Sequence, residues 1–119
     1  MRIGYAGRMT DSVLQLYKAV IDARERKSAS SRTARLFDAG RGKISKKVAE
    51  EAVEVVVDAL RGKADAVVRE SADLIYHLVV LWADVGVRPE EVWGEIRRRE
   101  QMLGIAEKLP KGKDRYSCS

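Results

Sequence analysis

The chain has 119 residues, 45% of them hydrophobic, and a formal net charge of +5. That length suits one domain with a modest core, and the composition excludes gross disorder. The single cysteine, Cys118, excludes an internal disulfide and points to a reducing compartment.

Residues 1–10 contain Gly4 and Gly7, show no apolar period and read as a flexible arm. They lack the continuous apolar region of a signal peptide. A helix is predicted from Asp11 or Ser12, either of which can cap it, to about Lys27. Its apolar residues Val13, Leu14, Leu16, Tyr17, Val20 and Ile21 recur at three- and four-residue spacing. Residues 28–42 form a connector with a short ARLF segment of one or two helical turns and a Gly40-Arg41-Gly42 turn. Arg32, Arg35, Arg41 and Lys43 line it, either as a solubilising loop or as a mobile phosphate-binding segment.

A second helix is predicted over residues 43–60, with Gly62 as the turn, and a third over 63–85, ending before Gly86. A fourth follows Val87, with Pro89 in or near its first turn and Glu90 and Glu91 near its positive end. It runs to about Leu103. Gly104 breaks the pattern, a short IAEKL segment follows, and residues 109–119 read as a disordered basic tail. The fold class is therefore all-α, a helical bundle of about four main helices in one domain over residues 11–108.

The apolar stretch from Leu74 to Val87 is broken by His77 and Asp84 and is shorter than the ~18 residues of a membrane span. A cytoplasmic protein without membrane contact is expected. Positive charge favours anionic partners, but the basic residues are scattered and no nucleic-acid-binding motif accompanies them, so nucleic acid is not expected. The third helix is apolar nearly all round, which asks for burial on nearly all sides. Four short helices enclose such a helix poorly, and a homodimer is the simplest remedy. Tyr76, Trp82 and Trp93 read as packing residues.

The carboxylates are the candidate chemistry. At about 100° per residue, Glu50, Glu51 and Glu54 adjoin the apolar face of the second helix, with Glu51 at its edge. On the third helix Glu70 lies within an apolar sector, and Asp73 and His77 follow at three and four residues. Glutamate is rarely buried unless paired or bound to a cation. Clustered carboxylates repel, and a hard divalent cation such as Mg²⁺ relieves them while keeping positions open for phosphate and water. EExxE also decorates solvated helix faces, and Lys46 and Lys47 precede Glu50 and Glu51 by four residues. His77 is expected to orient a carboxylate such as Asp73 rather than to bind metal.

These residues carry a resemblance. ERK at Glu25 to Lys27, TARL at Thr33 to Leu36, KISKKVAEEAVEVV from Lys43, ESADLIYHLVVL from Glu70 and GIAEK from Gly104 resemble the phosphoribosyl-ATP pyrophosphohydrolases of histidine biosynthesis. That family lies within the all-alpha nucleoside triphosphate pyrophosphohydrolase group, and the likeness covers residues 14–108. It implies a homodimeric helical bundle that hydrolyses 1-(5-phosphoribosyl)-ATP to phosphoribosyl-AMP and pyrophosphate, the second step of the pathway. By the resemblance, Glu51, Glu54, Glu70 and Asp73 bind Mg²⁺, and Glu50 is a further ligand or activates water. Glu50, Glu51 and Glu54 thus form the catalytic set, and Lys27, Thr33, Lys43 and Lys47 lie near substrate phosphates. The residues neither require nor exclude a complex with the cyclohydrolase of the next step. Arg32 departs from the family, which usually has an aromatic residue there. Two rival readings share the residues: a house-cleaning enzyme of the same fold acting on free triphosphates or dUTP, and a non-enzymatic helical dimerisation module.

Overall fold

In this computed structural model the backbone is described for residues 2–107 and the side chains for residues 12–103. Five helices form: α1 (Arg2–Arg26), α2 (Arg32–Ala39), α3 (Arg41–Leu60), α4 (Ala64–Val85) and α5 (Pro89–Glu107). There is no strand among the described residues, as the all-α expectation requires. Four boundaries differ from the sequence reading, one of them the start of α3 at Arg41 rather than near Lys43. The α1 assignment begins at Arg2 rather than near Asp11, because a nucleated helix propagates at little cost where no proline stops it. The ARLF segment belongs to a full eight-residue helix. The last helix passes Gly104 and ends at Glu107, since one glycine costs a helix only about 1 kcal/mol. The expected basic tail lies outside the described residues.

The chain divides into two units, residues 1–89 with α1 to α4, and residues 90–119 beginning within α5. In the second unit Glu95 accepts from both Arg98 and Arg99, which hold its carboxyl down at about 2. These contacts are surface pairs within one helix.

The first unit is organised around the α3–α4 hairpin. The turn between them has a local cause. Gly62 adopts φ 70°, its N–H donates to the Ala59 carbonyl, and the Lys63 N–H donates to the Asp58 carbonyl. This pair of bonds closes the end of α3 on a left-handed glycine. Gly86 closes α4 in the same way, at φ 83°, with the Val87 N–H on the Trp82 carbonyl.

At the start of α2, the Ser31 hydroxyl accepts from the Ala34 N–H at 3.0 Å, an N-cap that the sequence reading did not assign. Only Gly40 separates α2 from α3. Its N–H donates to the Leu36 and Phe37 carbonyls, and its own carbonyl accepts from Ile44. Its φ of 100° with ψ of 168° is open essentially to glycine alone. Gly42, by contrast, sits in ordinary helical conformation.

The core joins Val20 of α1, Leu36 of α2, Ile44 of α3 and Val79, Val80 and Ala83 of α4. Val13, Leu16, Tyr17 and Ile21 of α1 pack against it, so the three- and four-residue spacing seen in the sequence is the buried face of that helix. Two arginines grip the C-terminal end of α4, where backbone carbonyls lack helical partners. Arg24 Nη1 donates to the Ala83 carbonyl at 3.0 Å and its guanidinium lies over the Phe37 ring. Arg41 Nε pairs with Asp84 Oδ2 at 2.7 Å and Arg41 Nη2 reaches the Asp84 carbonyl.

At its other end the hairpin is bare. Val53, Val56, Val57 and Leu60 on α3 and Val68 and Ile75 on α4 are exposed, Leu60 by 84%. Their three-, four- and seven-residue spacings draw one apolar stripe on each helix. The apolar excess of α4 is therefore only partly covered within the first unit.

Candidate active site

The hairpin geometry fixes which side chains face one another. Residues equally far in sequence from the turn stand at equal height on two antiparallel helices, since each rises about 1.5 Å per residue. Glu54 and Glu70 each lie eight residues from Gly62, Glu51 and Asp73 eleven, Lys47 and His77 fifteen, and Ile44 and Val80 eighteen. The seam thus reads, from the turn inward, as two acidic rungs, a basic rung and a core rung.

The acidic rungs converge. One carboxylate oxygen each from Glu51, Glu70 and Asp73 lies within 4.8 Å of the others. Glu51 Oε1 is shielded from solvent and has no hydrogen-bond partner. Glu54 borders the same group. Its carboxyl is hydrogen-bonded to Glu70, and that bond, followed by the charge of Glu70, raises its pKa above the ordinary glutamate value. Burial and the charges of Asp58 and Asp73 push in the same direction. An orphaned buried carboxylate oxygen facing two more carboxylates is costly as it stands. A hard cation with oxygen preference fits this donor set, by chemistry and by the unpartnered lone pairs of Glu51 Oε1.

The other acidic candidate is placed differently. Glu50 is 47% exposed and lies 3.9 Å from Lys47 Nζ, outside the three-carboxylate group. That position is the solvated pairing the sequence allowed for EExxE.

Beside the acidic group lies a cleft of about 230 Å³ lined by Arg32, Arg35, Leu36, Ala39, Lys43, Lys47 and His77. It gathers cations from α2 and α3 around one imidazole from α4. Of the four expected phosphate-binding residues, Lys43 and Lys47 line this cleft. Thr33 and Lys27 do not. The Thr33 hydroxyl is hydrogen-bonded to the Tyr76 hydroxyl at 2.5 Å, which ties α2 to α4. Lys27 follows the last residue of α1 in left-handed conformation at φ 53°.

His77 corrects the sequence reading in one respect. It is 1% exposed, and its Nδ1 lies 2.9 Å from the backbone carbonyl of Asp73, not from the Asp73 carboxylate. It is held by its own helix, with the Tyr76 ring edge-on at 4.9 Å. Its Nε2 is buried and has no hydrogen-bond partner. Tyr76, read as a packing residue, also supplies the hydroxyl of the Thr33 bond, and Arg32 lies over its ring at 5.8 Å. The equal spacing of Lys47 and His77 from Gly62 is the signal by which the sequence could have paired them.

Comparison with known proteins points one way. Residues 13–100 match the family model described as phosphoribosyl-ATP pyrophosphohydrolase. The chain is 64% identical over 105 residues to a phosphoribosyl-ATP pyrophosphatase 2 of Rhodopseudomonas palustris, covering 88% of this chain and 80% of that protein. It is 66% identical over 103 residues to a protein of the same name from Bradyrhizobium diazoefficiens, covering 87% and 77%. A phosphoribosyl-ATP pyrophosphatase of Azospirillum brasilense is 48% identical over 102 residues, covering 85% and 92%.

Proposed function

This chain belongs to the phosphoribosyl-ATP pyrophosphohydrolase family, and from that premise we propose that it hydrolyses 1-(5-phosphoribosyl)-ATP to phosphoribosyl-AMP and pyrophosphate, with Mg²⁺, as the second step of histidine biosynthesis. The observation that carries the reading is the convergence of Glu51, Glu70 and Asp73 around a buried oxygen that lacks a partner. Glu51, Glu54, Glu70 and Asp73 are the residues that would hold the ion. When bound, it neutralises charge on the phosphate chain and lowers the pKa of a coordinated water.

The chain's own residues supply the rest. Lys47 stands one helical turn from Glu51, so its ammonium can meet a phosphate oxygen at the edge of the acidic group. Lys43 is one turn further along the same side and extends that positive track. Thr33 acts through Tyr76 by fixing α2 on α4. Lys27 and Glu50 are proposed as outer contacts, to a phosphate and to the attacking water. A carboxylate accepts the water proton as the oxygen attacks phosphorus, and pyrophosphate leaves from the break between the α and β phosphates.

The exposed apolar stripes on α3 and α4 support a homodimer, because a second copy offers the same stripes to cover them. Among the described residues no helix is long and apolar enough to cross a membrane, and a cytoplasmic setting suits a biosynthetic enzyme.

The test is pyrophosphate release by the purified protein, with and without Mg²⁺, from phosphoribosyl-ATP, dUTP and the ordinary triphosphates. Preference for phosphoribosyl-ATP with a strict need for the ion supports the assignment. Release from a free triphosphate alone would reassign the protein to a house-cleaning role, and no release from any of them would leave a helical binding module.

A further inference from the structure

The cleft beside the acidic group carries a chemistry that the phosphate chain does not use. His77 is among its lining residues, and the hydrogen on its Nδ1 follows from geometry. A backbone carbonyl only accepts, so the nitrogen 2.9 Å from the Asp73 carbonyl oxygen carries the hydrogen. In the neutral ring Nε2 is then a bare lone pair. It is buried and unpartnered in a residue that is 1% exposed, and buried polar atoms are rarely left so. The cleft therefore asks its ligand for a hydrogen-bond donor. The oxygens of a fully ionised triphosphate chain are acceptors only and do not provide one.

The same cleft is lined by Arg32, Arg35, Lys43 and Lys47. Arg35 spends one N–H on the Ala29 carbonyl at 3.0 Å and keeps four of its five donors. These cations ask for an anion of high charge. A hydroxyl next to a phosphate satisfies both demands at once. A cleft of about 230 Å³ is also below the usual 300–1,000 Å³ of drug-sized ligand sites and suits one sugar phosphate rather than a whole nucleotide.

We infer that the cleft between α2, α3 and α4 is a ribose 5-phosphate subsite, with the phosphate on Arg32, Arg35 and Lys43 and a ribose hydroxyl donating to His77 Nε2. The identity of the ligand rests on the proposed substrate, whose second ribosyl group ends in such a phosphate. The acidic group and the cleft then hold opposite ends of one molecule, and Lys47 stands between them. An ordinary triphosphate fills the first and leaves the second empty, so selectivity resides in the cleft.

The experiment uses the metal-free wild-type protein, with ribose 5-phosphate, inorganic phosphate and ribose as separate probes in calorimetric titration. Ribose 5-phosphate is expected to bind once per chain and at least about tenfold more tightly than inorganic phosphate. Arg35→Gln, an exposed change that leaves the core intact, weakens its binding at least about tenfold. His77 is the single histidine of the chain, so ¹⁵N spectra report its ring without ambiguity. The Nε2 resonance moves on adding ribose 5-phosphate, and moves less with inorganic phosphate. Equal affinity for the two phosphates, an unmoved Nε2 resonance or unchanged binding in Arg35→Gln would overturn the subsite. None of these measurements requires turnover, so a failure of the proposed hydrolysis would be seen separately in the pyrophosphate assay.

Discussion

Glu54 of α3 and Glu70 of α4, each eight residues from the hairpin turn, stand at one height on facing helices, and the hydrogen-bonding and charge of Glu70 raise the pKa of Glu54. Facing carboxyls repel when both are ionised, which favours the protonated form of Glu54. A raised folded-state value favours the folded protein below the unfolded glutamate pKa, and that advantage is lost as pH rises through the folded value. Metal-free protein should therefore lose thermal stability as pH climbs from about 4 towards neutrality. Added Mg²⁺ should raise the melting temperature by an increment that grows over the same range, since the ion binds ionised carboxylates. Glu54→Gln should flatten the metal-free profile. Thermal melts in chelator and in Mg²⁺ across that range decide the matter, and a pH-independent Mg²⁺ increment would contradict it.

Replacing a converging carboxylate should separate folding from chemistry. Glu51→Gln and Asp73→Asn keep size and shape, so both should fold with helical content unchanged. Each should lower pyrophosphate release at least about a hundredfold, the upper end of what even outer-shell partners of a metal cost. Glu50→Gln, on the exposed side beside Lys47, should fall well short of that loss if it only orients water. The comparison is made with circular dichroism and a coupled pyrophosphate assay on the same preparations.

The Thr33–Tyr76 bond is the tie between α2 and α4, and removing it should cost about 1 kcal/mol. Tyr76→Phe and Thr33→Val should each lower the melting temperature by roughly 4–8 °C. The double variant should be little worse than either single one, because both remove the same interaction. Additive losses in a denaturant-unfolding cycle would show that the two hydroxyls act independently.

Gly40→Ala offers a test of backbone strain without crowding. A Cβ at Gly40 would meet nothing within 4 Å, so any loss comes from the backbone angles. The expected destabilisation is about 1–3 kcal/mol. Gly42→Ala, where the backbone is helical and space is also open, should be neutral or slightly stabilising. Equal effects at the two positions in urea unfolding would refute the distinction.

The apolar stripes are testable through mass. Val53→Glu and Leu60→Glu place charge on positions that are 60% and 84% exposed, so the folded monomer has room for them. Light scattering after gel filtration should find a dimer for the wild type and a monomer for the double variant. A wild type that elutes as a monomer would remove the dimer from the proposal.

Much of this architecture was legible in the residues, for physical reasons that differ by element. Val13 to Ile21 declared the buried face of α1 because helical period and burial coincide there. Glu51, Glu70 and Asp73 were legible because acids at the margin of an apolar face need compensation, and the structure brings those three together. Lys43 and Lys47 were placed near phosphates by resemblance, and they line the cleft. What stayed hidden depends on contacts between residues far apart in sequence. Arg24 on Ala83 and Arg41 on Asp84 are ordinary surface arginines until α4 ends beside them. The Thr33–Tyr76 bond links two residues forty-three positions apart, and no local period announces it. Gly40 and Gly42 look alike in sequence, and only the direct junction of α2 to α3 sets the first apart.

The three-residue turn at Arg61, Gly62 and Lys63 is, in effect, a ruler. One residue added there would advance every position of α4 by about 1.5 Å and swing it by about 100° relative to α3. Glu70 would leave Glu54, Asp73 would leave Glu51 and His77 would leave Lys47 in a single stroke, while each helix stayed intact. The length of a solvent-facing bend thus decides whether the carboxylates of the two helices meet at all.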